Sequence, residues 1–253
     1  MSTLDRGTLL SMAVSNPTRR LENRLFREQG HRVILGVDEV GVAPSAGPVV
    51  ACALAMPLDK RFIKGVRDSK MLSAAQRERL AKRILRHAIT VGLGAASVRE
   101  IDQINIYYAT VLAMKRAVAR AGEHDYVIVD GRKIRGFEEH AGPYQAMIDG
   151  DARCYAVACA SIVAKVTRDR LMRNLSVRYP WYGWEHNAGY ATPDHRAGMT
   201  AHGVTAHHRR SFITTQRVLA GEQTALDLFD DESSASILDV ATDASPEPIF
   251  AAS

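Results

Sequence analysis

The stretch "GVDEVGVAPSAGPVVACALAM", Gly36 to Met56, constrains the fold more than any other part of the chain. Two runs rich in Val, Ile and Leu, "RVILGVD" and "GPVVACALAM", read as strands joined by a turn of Gly, Pro and Ser. Asp38 and Glu39 stand between them, and an ionised carboxylate beside a buried strand is costly unless something positive binds it. Side chains alternate faces along a strand, so both acids cannot look inward from a regular one. The strand therefore has to end or twist at Glu39, which Gly41 directly after it allows.

The pattern of an apolar run closed by an acid recurs. "DYVIVDG" predicts a short, central buried strand ending in Asp130, and "YQAMIDGD" predicts a last strand followed by Asp151. "ITVGLGAAS" reads as a third strand with glycine interruptions. Helices are predicted over roughly 17–27, over "SKMLSAAQRERLAKRILRHA" with Ser73 as cap and Leu80, Ile84 and Leu85 on one face, and over "INIYYATVLAMKRAVARAG" up to Gly122. A long Ala- and Ser-rich helix follows from about residue 152. The aromatic, Gly- and His-rich segment after Tyr179 predicts irregular structure with short helices. Strands in a run, then helix and strand in alternation, give an α/β domain with a mixed sheet. The expected division is an N-terminal arm (1–30), a catalytic body with a C-terminal helical extension (31–219) and an acidic tail (220–253).

Acids at strand ends commonly face a shared site, because the loops there ride on a rigid scaffold. Asp38, Glu39, Asp130 and Asp151 supply oxygen donors with no matching His or Cys set, a pattern that favours Mg²⁺ or Mn²⁺. Two such ions can activate water and stabilise the leaving oxygen of a phosphodiester. Asp is also a common turn former and helix cap, so position alone leaves that alternative open for each acid. The histidines His186, His195, His202, His207 and His208 lack a Cys partner and fit no recognised zinc spacing. Three cysteines, Cys52, Cys154 and Cys159, form no CxxC pair and suit a reducing cytoplasm as buried apolar side chains. No apolar run approaches the ~20 residues of a membrane span, and the N-terminus lacks a secretory signal pattern. The tail from Ala220 to Ser253 holds eight acids and no Lys or Arg; without that −8, the overall +5 becomes +13 for residues 1–219. A basic body points to a polyanion, with nucleic acid as the leading partner.

"GVDEVG…AGPVVA", "DSKMLSAAQRERL", "IDQINIYYATVLAMKRAV", "VIVDG", "GDARCYAVACASIVAKVTRDRLM" and "GYATPDHRAGMTAHGVTAHHRRSF" resemble, in order and over about residues 31–217, the ribonuclease HII family. The resemblance implies an RNase H-like fold and a two-metal endonuclease. Such an enzyme cuts on the 5′ side of a ribonucleotide in duplex DNA and also cuts RNA–DNA hybrids, leaving a 3′-hydroxyl and a 5′-phosphate. It implies Asp38, Glu39, Asp130 and Asp151 as metal ligands, with Asp149 at a position where the family often has Lys. Asp169 matches a family position too far along its helix to join them, and is expected to pair with Arg or Lys. Tyr190 resembles the tyrosine that stacks on the sugar at the RNA–DNA junction. Ser69, Lys70 and Asn105 resemble phosphate-contacting positions; Lys165 and Arg168 are further candidates, with a structural role the alternative.

The chain departs from the family where a Gly-Arg-Gly turn reads the ribose 2′-hydroxyl through its backbone. Here the turn is Gly41-Val42-Ala43: a cation is lost, and the second glycine gains a Cβ that resists positive φ. If the turn needs that conformation it must shift, altering rate or ribonucleotide discrimination. In the tail, Ala225-Leu226-Asp227-Leu228-Phe229 is similar to peptides that dock on the bacterial sliding clamp. A monomer is expected. The competing reading is a non-enzymatic nucleic-acid-binding or clamp-associated protein that kept the fold, supported only by Val42 and Ala43.

Overall fold

A computed structural model describes residues 16–221 of the 253-residue chain. In chain order its elements are α1 (Arg20–Gln29), β1 (Ile34–Val40), β2 (Val49–Ala55), α2 (Ala74–His87), β3 (Thr90–Ala96), α3 (Val98–Ala121), β4 (Tyr126–Asp130), α4 (Glu138–Ala141), β5 (Tyr144–Met147), α5 (Gly150–Arg153), α6 (Tyr155–Arg178), α7 (Trp184–Asn187), α8 (Pro193–His202) and α9 (Ile213–Leu219). The five strands form one sheet in the order β3-β2-β1-β4-β5. The β1–β2 and β2–β3 pairs are antiparallel, whereas β1–β4 and β4–β5 are parallel. This is the mixed sheet flanked by helices that the alternation of patterns predicts.

Strand alternation sorts the core. Leu35, Val37, Ala51, Ala53, Val127 and Val129 pack with α3 on one face. Ile34, Cys52, Leu54 and Ile128 point to the other, where α6 lies. The run of small side chains on α6 lets it approach closely: a Cβ on Gly36 would stand 2.3 Å from the carbonyl carbon of Ala156, so only glycine fits there. Past the sheet, α6 carries the C-terminal extension, whose own small core gathers Met172, Tyr182, Trp184 and Met199 around Ala46.

Ser73 caps α2 as predicted, in a reciprocal box with Gln76. Leu85 does not join the buried face with Leu80 and Ile84; it is exposed, and Ala81 fills that side. The strand also does not end at Glu39. β1 continues through Val40, which pairs with Val50, and the chain turns only at Gly41. The predicted last strand is shorter, stopping at Met147, because Asp149 adopts a left-handed conformation that opens α5. Asn105 (φ 63°, ψ 170°) divides α3 in two: the second part starts at Asn105, beside the predicted start, and a short helix from Val98 precedes it. α1 packs onto the start of α6: Ala156 N–H donates to Glu22 Oε1 at 3.1 Å, and Leu25 is buried with Ile34 and Ile128. Among the described residues no helix is long and apolar enough to cross a membrane.

Candidate active site

The sheet register brings the predicted acids together. Val37 pairs with Val129 in the parallel β1–β4 ladder, so Asp38 and Asp130 lie side by side one step further on, on the α6 face with Ile34 and Ile128. Glu39 follows on β1, and α5 presents Asp151 just beyond β5. Asp38 accepts from Glu39 N–H at 2.8 Å and also bonds to Ser161 of α6. Asp130 Oδ1 accepts from Gly150 N–H at 2.7 Å, which fastens the start of α5 to the end of β4.

Asp38, Glu39 and Asp151 are raised by burial and by the charges of the other acids. Burial, then the charges of Glu39 and Asp130, lift Asp38 well above the usual carboxylate range. Burial, the charge of Asp130 and that of Asp151 push Glu39 up to about 7, although Lys70 opposes this. Asp151 rises to about 6 through burial, Asp130 and Asp68. Asp130 is raised mainly by burial and held down by amide hydrogen bonds from Gly150 and Gly131. Lys70 is the counter-charge: burial pulls its ammonium down, but Asp151, Asp68, Asp38 and Asp130 more than offset that.

This donor set fits hard divalent cations. It offers carboxylates only, and Glu39 Oε2 is buried without a hydrogen-bond partner. Among the described residues no three acidic, imidazole or thiol side chains are gathered at the spacing of a ready-made single-ion shell. Asp38 and Asp130 each commit an oxygen to a backbone amide; their remaining oxygens, with those of Glu39 and Asp151, are the donors that would hold a divalent ion.

The other predicted residues divide. Lys70, Asn105 and Tyr190 are exposed, and so is Ala43. Ser69 is buried, its hydroxyl 2.9 Å from Ser161 Oγ, which places it behind Asp38. Asp169 pairs with Lys165 at 3.0 Å and Arg77 at 3.8 Å, as expected of a structural acid. That ion pair engages Lys165. Arg168 is no phosphate contact: it is fully buried and donates to the carbonyls of Ala46, Pro48 and Ala188 at 2.8–3.0 Å. Asp149 faces Asp130 and raises it, whereas Asp151 acts on Asp38 and Glu39.

The turn after the acids has an anchor that no sequence pattern signals. Arg209, also fully buried, donates to Gly41 O, to Val42 O at 2.7 Å and to Gly47 O at 3.0 Å. Burial and Arg168 depress its guanidinium to about 9. Gly41 is required twice over: its φ is +92°, and a Cβ there would stand 2.1 Å from Arg168 Nε. Ala43 is under no such demand, since Asn105, Asp149 and Ala188 are the only non-glycine residues with positive φ among those described. Ala43 therefore sits in the turn without the positive φ that an alanine resists. Asp68, Ser161 and Arg209 are the members of the site that sequence reasoning missed. Asp68 stood in the motif beside Ser69 and Lys70, but its charge on Asp151 and Lys70 depends on the fold.

The histidines form a structural cluster. His195 and His208 pack with Tyr182 and Trp184, and His195 Nε2 lies 3.0 Å from Trp184 Nε1 and 3.1 Å from His208 Nε2. Burial lowers both rings, His208 to about 3, which keeps them neutral.

Comparison with known proteins shows the family of the chain. The model of the family described as Ribonuclease HII matches residues 35–215. A ribonuclease HII of Thermosynechococcus vestitus is 48% identical over 199 residues, covering 78% of this chain and 91% of its own. That of Ruegeria pomeroyi is 48% identical over 217 residues, covering 84% and 89%. Among solved structures, ribonuclease H2 of Pyrococcus horikoshii superposes with a TM-score of 0.64 at 24% identity, over 76% of this chain and 99% of that one. The RNase HII in a PCNA:RNase HII complex from Archaeoglobus fulgidus gives 0.63 at 26%, over 71% and 95%. An RNase HIII solved with Mn²⁺ shares the fold, with a TM-score of 0.62 at 18% identity over 76% and 70%. The chain belongs to the ribonuclease HII family, endoribonucleases that hydrolyse phosphodiester bonds.

Proposed function

We propose that the protein is a divalent-metal-dependent endonuclease that cuts on the 5′ side of ribonucleotides, in RNA–DNA hybrids and in duplex DNA with embedded ribonucleotides. The observation that carries this reading is the gathering of Asp38 and Glu39 on β1, Asp130 at the end of β4 and Asp151 on α5, which Gly150 N–H ties to Asp130, with Lys70 close enough to feel their charge. Four acids kept this close gain nothing for the fold alone, and a cation bound among them relieves their repulsion. Divalent ions held there supply an activated water and stabilisation of the leaving oxygen, with Mn²⁺ or Mg²⁺ the ions that suit the donors.

The chain's own groups supply positioning. Lys70 balances part of the acids' charge, and its exposed ammonium is the cation assigned to an entering phosphate. The carbonyls of Gly41 and Val42 are turned back to Arg209, which leaves the N–H groups of the 41–43 turn as readers of a 2′-hydroxyl. The exposed ring of Tyr190 suits stacking on a sugar. Asn105 offers a polar side chain at a strained break in α3, and such strain gathers at functional sites. The products are a 3′-hydroxyl and a 5′-phosphate.

The test is cleavage of a continuous RNA–DNA hybrid by wild type and by Asp38→Asn. Metal-dependent cutting lost in the variant supports the reading. Wild-type binding without cutting in either ion leaves a nucleic-acid-binding protein instead. The PCNA complex of the A. fulgidus relative supports a sliding-clamp contact. The segment proposed for it, Ala225-Leu226-Asp227-Leu228-Phe229, lies outside the described residues. Deletion of residues 222–253 is expected to abolish clamp pull-down, and unchanged capture would remove the idea.

A further inference from the structure

Residues 205–211 form a strap whose consecutive side chains and amides reach three separate elements. His208 takes the first. Thr205 N–H donates to His208 Nδ1 at 2.9 Å, so the other nitrogen of that neutral ring carries the proton. That Nε2–H donates to His195 Nε2 at 3.1 Å, and His195 Nδ1–H donates in turn to the carbonyl of Tyr190 at 2.8 Å. An amide can only donate and a carbonyl can only accept, which sets these roles, and His195 Nε2 accepts a second donor, the indole N–H of Trp184, at 3.0 Å. Arg209 takes the second element, the carbonyls of Gly41 and Val42. Arg210 and Ser211 take the third: their amides donate to the two carboxylate oxygens of Asp102 at 3.1 and 2.9 Å, and Ser211 Oγ donates at 2.6 Å. Asp102 lies on α3, three residues before the break at Asn105.

We propose that this strap is the positioning element for ribonucleotide discrimination, holding the 41–43 turn, Tyr190 and the Asn105 break at a fixed mutual spacing. The strap acts through the turn, Tyr190 and Asn105, to which its members are tied. The inference rests on the reading above that the turn, Tyr190 and Asn105 contact the substrate. Arg209 holds the carbonyls of Gly41 and Val42, a support of the turn that does not depend on the side chain at position 42. A direct tie links the first two elements, since Ala46 N–H donates to Gly189 O at 3.2 Å, so the strap reinforces contacts already in place.

The test uses the full chain with Asp38→Asn, so that duplexes survive measurement. Affinity is compared for duplex DNA with one embedded ribonucleotide and for the all-DNA duplex. His195→Leu and, separately, Asp102→Ala are expected to reduce the ratio of the two affinities about three- to ten-fold, with affinity for the all-DNA duplex within about two-fold of the parent. His195→Asn, which keeps a donor near the Nδ1 position, is expected to recover most of the ratio. Asp102 is partly exposed and its removal leaves two amides to water, so Asp102→Ala carries the test if His195→Leu fails to fold. An unchanged ratio in Asp102→Ala, or an equal fall in both affinities, overturns the proposal. If the parent itself shows no ratio above one, the substrate reading fails first, and the strap's role in discrimination falls with it.

Discussion

Ala43 shows what a single residue's backbone decides. A glycine-to-alanine change in a turn suggests strain, yet only Gly41 of the three turn residues has positive φ. Ala43→Gly is therefore expected to lower stability by about 0.5–1 kcal/mol in chemical denaturation, through the entropy of the unfolded chain, instead of relieving strain. Gly41→Ala combines positive φ with a clash on Arg168 and is expected to cost about 3 kcal/mol. The reverse order of the two effects would show that the turn is built differently. At this scale the acids were legible, because Asp38, Glu39 and Asp130 each end an apolar run. Arg168 and Arg209 were not. A buried arginine is normally betrayed by an acidic partner, and these two are satisfied by loop carbonyls contributed from residues more than a hundred positions away or from the next loop.

The elements were legible where one period dominates. β1, β2 and β4 read directly as apolar runs, and α2 was marked by Ser73. The faults lie at ends and breaks. Leu85 was assigned to the buried face by spacing, but Ala81 gives α2 closer contact with α6 and turns Leu85 outward. The break in α3 had Asn105 itself as its marker, a residue that favours caps and tolerates positive φ, set between β-branched and aromatic neighbours. Its side chain accepts from Tyr108 N–H at 3.2 Å and so restarts the helix as a cap. Asn105→Ala loses that cap and keeps the unfavourable φ, and is expected to lower stability by about 2 kcal/mol by thermal denaturation. Asn105→Gly tolerates the φ and is expected to cost less than half as much. Equal costs would mean that the conformation is not intrinsic to the break.

Across the whole molecule, the site opposes the fold's stability in the metal-free protein. Glu39, raised from 4.5 to about 7, and Asp151, raised from 3.8 to about 6, favour the folded state while protonated, and that stability is lost as pH rises through those values. His195, His207 and His208 are held below 6.5 and act in the opposite direction beneath that pH, so the interval above it belongs to the acids. In chelator, the melting temperature is expected to fall between about pH 6.5 and 8, and Glu39→Gln is expected to flatten that fall. A wild-type profile as flat as the variant's would mean that the acids are not in contact. The basic body of residues 1–219, at +13 by the sequence, favours the approach of a polyanion to a site whose own charge is negative, as the proposed substrate requires. The central claim is that these acids cut beside a ribonucleotide, and product mapping tests it most directly. A duplex DNA with one embedded ribonucleotide is incubated with the full chain in Mg²⁺ and in Mn²⁺. A single cut is expected on the 5′ side of the ribonucleotide, leaving a 3′-hydroxyl and a 5′-phosphate, and absent in Asp38→Asn. Cutting on the 3′ side, or cutting that survives in Asp38→Asn, would contradict it.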